Sequence, residues 1–161
     1  MKRFLLAWLV ICGAGSGAIA DMTLVGDSAM SGDTALLAMK DGHTVRFQII
    51  GVEAPRPGQE RFRESAAFLA SLVKGKTVTV VGEKDTSTES ETSYTAKALL
   101  IDGKDVGLAV IEAGWAWAGP GSRVAYGEAQ ASARGKKSGL WADPSPKEPW
   151  KWASKKKKKS K

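Results

Sequence analysis

The side chains able to do chemistry in this chain are few and unevenly spread. His43 is the single histidine and sits beside a glycine turn, with no partner in sequence for nucleophilic catalysis or a zinc cluster, so it reads as a structural or solvated residue. Cys12 is the single cysteine and lies in the first apolar stretch. The rest of the chain therefore has no thiol for a disulfide or a thiolate-bound metal. Arg46 and Gln48 are two residues apart in an apolar-rich run, which puts them on one strand face. A guanidinium is always charged and offers a planar fork to two oxygens, whereas an amide carries no charge. Trp115, Trp117, Trp141, Trp150 and Trp152 are a stacking platform for a base or sugar ring, or else core and C-terminal packing. Lys155, Lys156, Lys157, Lys158, Lys159 and Lys161 attract DNA, RNA or another polyanion by charge without reading sequence, or serve only as a solubilising tail.

These groups need elements to hold them. The opening Met1-Lys2-Arg3, the apolar stretch to Cys12 and the small residues through Ala18-Ile19-Ala20 form a secretory signal pattern, with Asp21 expected first after cleavage and no transmembrane segment thereafter. The expectation is an exported protein, periplasmic or extracellular, with a leader over 1–20, one domain over 21–152 and a disordered tail over 153–161. Of the net charge of +7, Lys2 and Arg3 supply two and the tail six, so the body between them is close to neutral, near −1. A nucleic-acid enzyme ordinarily carries a positive face. Here the positive charge sits at the chain end.

Within the body, Ala35–Met39 and His43–Ile50 read as a hairpin turning at Asp41-Gly42, a pair that tolerates the positive φ of a tight turn. Phe62, Ala66, Leu69 and Val73 recur at helical spacing between Glu60 and Lys74, and Gly75 follows as a stop. Thr77–Val81 and Ala96–Ile101 predict further strands. Val106, Ala109, Val110 and Ala113 predict a short helix closed by Gly114, with Trp115–Trp117 extended after it. Ser122 is expected to cap a last, alanine-rich helix reaching about Lys137. The interval 83–93 is polar and aperiodic and reads as a loop. A helix inserted among the strands of one small sheet predicts an α+β chain, mainly β, folded as a compact antiparallel barrel with helices at its ends.

Several segments together resemble one family. Ser31-Gly32-Asp33-Thr34 and Val45-Arg46-Phe47-Gln48-Ile49-Ile50-Gly51-Val52-Glu53-Ala54-Pro55 are similar to the opening motifs of staphylococcal-nuclease-like (thermonuclease) domains. Arg63-Glu64-Ser65-Ala66-Ala67-Phe68-Leu69 resembles the family's first helix, and Asp102-Gly103-Lys104-Asp105-Val106 the turn into its second. Gly139-Leu140-Trp141-Ala142-Asp143-Pro144 and Pro149-Trp150 resemble the close of its exported bacterial members. The resemblance spans residues 22–152 and implies a five-stranded OB-fold barrel with three helices. It also implies calcium-dependent hydrolysis of phosphodiesters, with a metal held by acidic side chains, a glutamate beside the attacking water and two arginines on the phosphate.

Carried over position by position, that machinery is largely replaced. The first arginine falls on Gln48, with Arg46 a nearby substitute on the same face. The glutamate falls on Arg56, which reverses the charge, and Glu60 is misplaced for the role. The second arginine is missing from the stretch around Tyr94, and Lys97 is the nearest cation, an ordinary solvent-facing residue on the simpler reading. Asp33, Glu53 and the Ala54 carbonyl fit the implied calcium ligands. The alternative is a turn-stabilising Asp33 and a solvated Glu53. Loss of a charge-stabilising donor costs roughly 10²–10³ in rate and loss of a general base roughly 10²–10⁴. Three altered positions predict a weak or inactive nuclease that acts as a binding module. The competing expectation is a nuclease with a rearranged site.

Overall fold

The computed structural model describes residues 22–88 and 92–152. Its first strand, β1 (Met22–Ser31), lies in a segment without strand signals in the sequence, because Gly26, Asp27 and Ser28 read as turn residues. The glycine has a steric reason to be there. A Cβ on Gly26 would stand 1.9 Å from the Val73 carbonyl oxygen, so the helix end lies directly on the strand. The Gly26 N–H donates to the Lys76 carbonyl and its carbonyl accepts from Gly75. Register shifts after Gly26 and after Ala29 bend β1, as bulges do.

The expected hairpin follows as β2 (Thr34–Ala38) and β3 (Thr44–Ile49), turning at Gly42 with φ 87°. In β3, Val45, Phe47 and Ile49 are buried while Arg46 and Gln48 alternate outward. Next come the short β4 (Val52–Glu53), helix α1 (Phe62–Val73) and β5 (Thr77–Val81). The stretch expected as one strand over Ala96–Ile101 is longer and broken. After the two-residue β6 (Lys84–Asp85), it forms β7 (Ser93–Ala96) and β8 (Ala98–Ile101), parted by a bend at Lys97.

That bend closes the barrel. β7 pairs with β3, and β8 pairs with β5, which pairs with β1, β2 and so back to β3. Taken as one bent strand, 93–101 completes a ring of five strands, an OB-like α+β fold. The β3–β7 pairing is parallel, which corrects the expectation of a wholly antiparallel barrel.

The remaining elements are β9 (Lys104–Asp105), α2 (Val106–Glu112), β10 (Trp117–Ala118), α3 (Val124–Gly135) and a 3₁₀ turn over Gly139–Ala142. Asp105 caps α2 by accepting from the Leu108 N–H. Ser122 does not cap α3. The cap position is Arg123, with no side-chain cap bond, and the Ser122 N–H closes a turn on Gly119 instead. The helix also ends at Gly135, short of Lys137. Arg123 and Tyr126 join Asp105 in one polar knot that fastens α3 to the start of α2. The main core fills the barrel and its contact with the helices, with Phe47, Leu69, Leu99, Val110 and Tyr126 among its members. A second cluster joins Trp117, Ala133, Leu140 and Trp141.

Candidate functional site

The turn between β1 and β2 holds Asp33, whose side chain is fully buried. A carboxylate there is tolerable only if its oxygens are satisfied. One oxygen accepts from the Ser31 hydroxyl at 2.5 Å and the Thr34 hydroxyl at 3.0 Å. The other accepts from the Ala54 N–H at 3.2 Å and from Arg56 Nη1 at 3.0 Å. Two strand ladders set this arrangement. β2 against β3 places Gln48 opposite Thr34, and the Ile49 N–H donates to the Asp33 carbonyl. β10 against β4 places Trp117 opposite Glu53, and Gly119 then lies so near that a Cβ would meet Glu53 Cγ at 2.7 Å.

Arg56 is the centre of the site. Its Nη1 meets Asp33 and its Nη2 meets Glu53 Oε2 at 2.5 Å, so one guanidinium joins both acidic residues. Its own backbone N–H donates to Gln59 Oε1 at 3.0 Å, which anchors the turn after Pro55. Burial raises the Glu53 pKa above its ordinary value, with Asp33 adding to the effect and Arg56 opposing it. The three ionised groups sum to −1. This is a poor reception for a phosphate, and the strongest local cation is already engaged.

Calcium needs several oxygen ligands at once. Here the buried Asp33 has protein donors on both oxygens and Glu53 faces a guanidinium. The residues present do not fit a calcium ion alongside Arg56, because the positive charge between the two carboxylates is supplied by the chain itself. Among the described residues no group of three or more histidine, cysteine or acidic side chains gathers to hold a metal.

The structure brings together Asp33, Glu53, Ala54 and Arg56, with Gln48 one strand away. Arg46 shares the face of Gln48 but lies two residues farther along, opposite Leu36, about 7 Å along the strand. Tyr94 stacks on Phe47 with ring centroids 5.2 Å apart and belongs to packing. Lys97 is exposed at the bend, its stem against Gly82. Glu60 is exposed before α1. His43 is exposed and pairs with Asp41 at 3.1 Å. The tryptophans form no single platform: Trp117 and Trp141 are buried edge to face, Trp115 packs near Phe68, and Trp150 is exposed. Residues 1–20, expected as a leader, and the lysines Lys155 to Lys159 and Lys161 lie outside the described residues.

Sequence reasoning treated Arg56 only as a charge reversal and missed that it bridges Asp33 and Glu53. The available signal was Glu53 three residues before Arg56 across Ala54-Pro55, a spacing at which opposite charges can meet when the chain turns. It also missed Gln59, a buried amide whose Nε2 donates to the Lys147 carbonyl.

Comparison with known proteins adds the lineage. The family model described as Staphylococcal nuclease homologue matches residues 46–143. An "Uncharacterized endonuclease" of Escherichia coli O157:H7 is 29% identical over 155 residues, covering 95% of this chain and 94% of the relative. "Protein ParB" of Escherichia coli is 31% identical over 133 residues, covering 76% and 74%. "Micrococcal nuclease" of Shigella flexneri is 28% identical over 133 residues, covering 76% and 75%.

Proposed function

We propose a function from the premise that this chain belongs to the staphylococcal nuclease homologue family: it is an exported member that has given up calcium-dependent phosphodiester hydrolysis and works as a binding module. The single observation that carries this reading is the Arg56 guanidinium between Asp33 and Glu53. Hydrolysis needs a positioned water, a group to take its proton, and donors aimed at the charge that grows on the phosphate. Arg56 stands where a glutamate base is expected and spends its fork on protein carboxylates. Gln48 offers an uncharged amide where the first phosphate arginine is expected. Losses of this kind do not add simply, yet any one of them is severe.

Export rests on the leader pattern of residues 1–20, and the tail lysines supply a charge-based contact for nucleic acid or another polyanion. The full-length similarity to a relative named as an endonuclease supports the competing reading, a calcium-dependent nuclease with a rearranged site. Incubating the purified protein with single-stranded DNA and RNA, with calcium or with chelator, separates the two. The binding-module reading expects no calcium-dependent cleavage. Cleavage that requires calcium and is abolished by Asp33→Ala would overturn it.

A further inference from the structure

Charge is divided along this chain. Residues 21–133 carry eleven lysines and arginines against fifteen aspartates and glutamates, whereas 134–152 carry five against two and the stretch that follows adds six lysines. The fold gathers the cations of 134–152 at one place. Arg134, in the last turn of α3, lies over the Trp141 ring with its guanidinium carbon 4.3 Å from the ring centre. Glu148 pairs with Lys151 at 3.0 Å, and its carboxyl is held below the ordinary range first by that hydrogen bond and, more weakly, by Arg134. The end of α3 therefore lies beside the segment 147–152. Lys136, Lys137 and Lys147 are all exposed on these two pieces.

Trp150, between Lys147 and Lys151 in sequence, is 41% exposed and is the only aromatic among the exposed large hydrophobics of the described residues. An indole is apolar over most of its area with one polar edge, which suits the boundary between water and lipid headgroups. Lysines together with one apolar anchor supply the two signals that stable attachment to a bilayer needs. A single-stranded nucleic acid asks for a different surface, a groove along which several rings stack successive bases. Here one ring is available. The only arginine of the segment, the group best shaped to fork onto a phosphate, is stacked on Trp141. An anionic surface also repels the net negative remainder of the body, so the division of charge sets which way the molecule faces.

We propose that the face formed by the end of α3 and residues 147–152, with the lysines that follow, binds the surface of an anionic phospholipid bilayer, Trp150 entering the headgroup layer and the lysines resting on the phosphates. The inference rests on the reading of the chain as an exported binding module and names its partner. Vesicle binding needs neither calcium nor nucleic acid, so its outcome is separate from that of the cleavage assay.

The whole of the described core lies within residues 22–152, so the test uses the chain from Asp21 to Lys161, without the apolar stretch 4–12 that would enter a bilayer by itself. Sucrose-loaded vesicles of phosphatidylcholine, with or without about a quarter of phosphatidylglycerol, are sedimented with the protein across a range of salt concentrations. Binding is expected only with the anionic lipid and falls as salt rises. Lys136→Ala/Lys147→Ala should weaken it roughly 25-fold, about fivefold for each lysine. Trp150→Ala should weaken it about fivefold with the salt dependence unchanged, because burial of an indole is not screened. Lys40→Ala/Lys76→Ala, at exposed positions outside the segment, should bind as wild type does. No sedimentation with anionic vesicles at about 1 mM accessible lipid, roughly tenfold past half-saturation for a single lipid anchor, would overturn the proposal. Equal losses from the two paired lysine variants would overturn it as well. So would a Trp150→Ala variant that loses as much affinity for single-stranded DNA as for the vesicles, which would put a base against that ring.

Discussion

Removing the Arg56 guanidinium should convert a metal-indifferent site into a weak calcium site. Arg56→Ala deletes one of four donors to the fully buried Asp33 and leaves Glu53 facing it without a countercharge. Breaking a fully buried ion pair costs about 3–5 kcal/mol. Here the Arg56 side chain is 34% exposed, Asp33 keeps three donors, and Glu53 already has a raised pKa and can take up a proton. A net loss of about 2 kcal/mol follows, or roughly 8 °C in melting temperature for a domain of this size. The vacated pair of carboxylates would then bind calcium with a dissociation constant on the order of 1 mM, as weak oxygen-ligand sites do. At about 10 mM calcium, that binding returns roughly 1.4 kcal/mol, a rise of about 5 °C. Thermal unfolding of wild type and Arg56→Ala, each with calcium and with chelator, reads both effects. The reasoning is refuted if wild type gains as much from calcium as the variant, or if the variant loses stability and calcium restores none of it.

Other expectations follow from the same geometry. Burial pushes the Tyr126 phenol up to about 12 from its ordinary 10; the folded protein keeps its proton while the unfolded chain loses it, so this contribution is intact below pH 10 and fades as the pH rises towards 12. Relative to Tyr126→Phe, wild type should lose roughly 2–3 kcal/mol across that window in denaturant titrations, and parallel curves for the two proteins would contradict the assignment. Gly32→Ala puts a Cβ 1.9 Å from Ser65 Oγ, which is itself held by the Trp115 carbonyl at 2.7 Å; a loss of about 2–3 kcal/mol is expected by thermal melting, and Ser65→Ala in the same chain should restore part of it. Deleting residues 155–161 should flatten the salt dependence of binding to single-stranded DNA, by about 0.7 in the log–log slope for each phosphate that the tail neutralises. An unchanged slope would remove the tail from the account.

The parts of this fold that were legible in the sequence are those governed by local periodicity. Thr77–Val81 alternates cleanly and forms β5, and the helical spacing of Phe62, Leu69 and Val73 forms α1. β1 was hidden because its glycine answers to α1, far along the chain, rather than to a turn. The break at Lys97 was hidden for a related reason: a strand that must pair with β3 at one end and β5 at the other bends for the sake of barrel closure, which local residue preference does not record. Ser122 looked like a helix cap by residue type, yet its N–H is taken by the Gly119 turn. At the site, the structure gathers Asp33, Glu53 and Arg56, with Gln48 opposite Thr34 one strand away. What spacing cannot supply is side-chain direction: Arg56 reads as a misplaced charge until the turn after Pro55 brings its two nitrogens onto the two carboxylates.

A calorimetric titration of calcium into the wild-type protein tests the central claim most directly, because it asks whether the space between Asp33 and Glu53 is open to a cation. With Arg56 in that space, the titration should show no saturable heat at low-millimolar calcium. Stoichiometric binding that disappears in Asp33→Ala would mean that Arg56 yields its place to the metal, and the account would fail at its root.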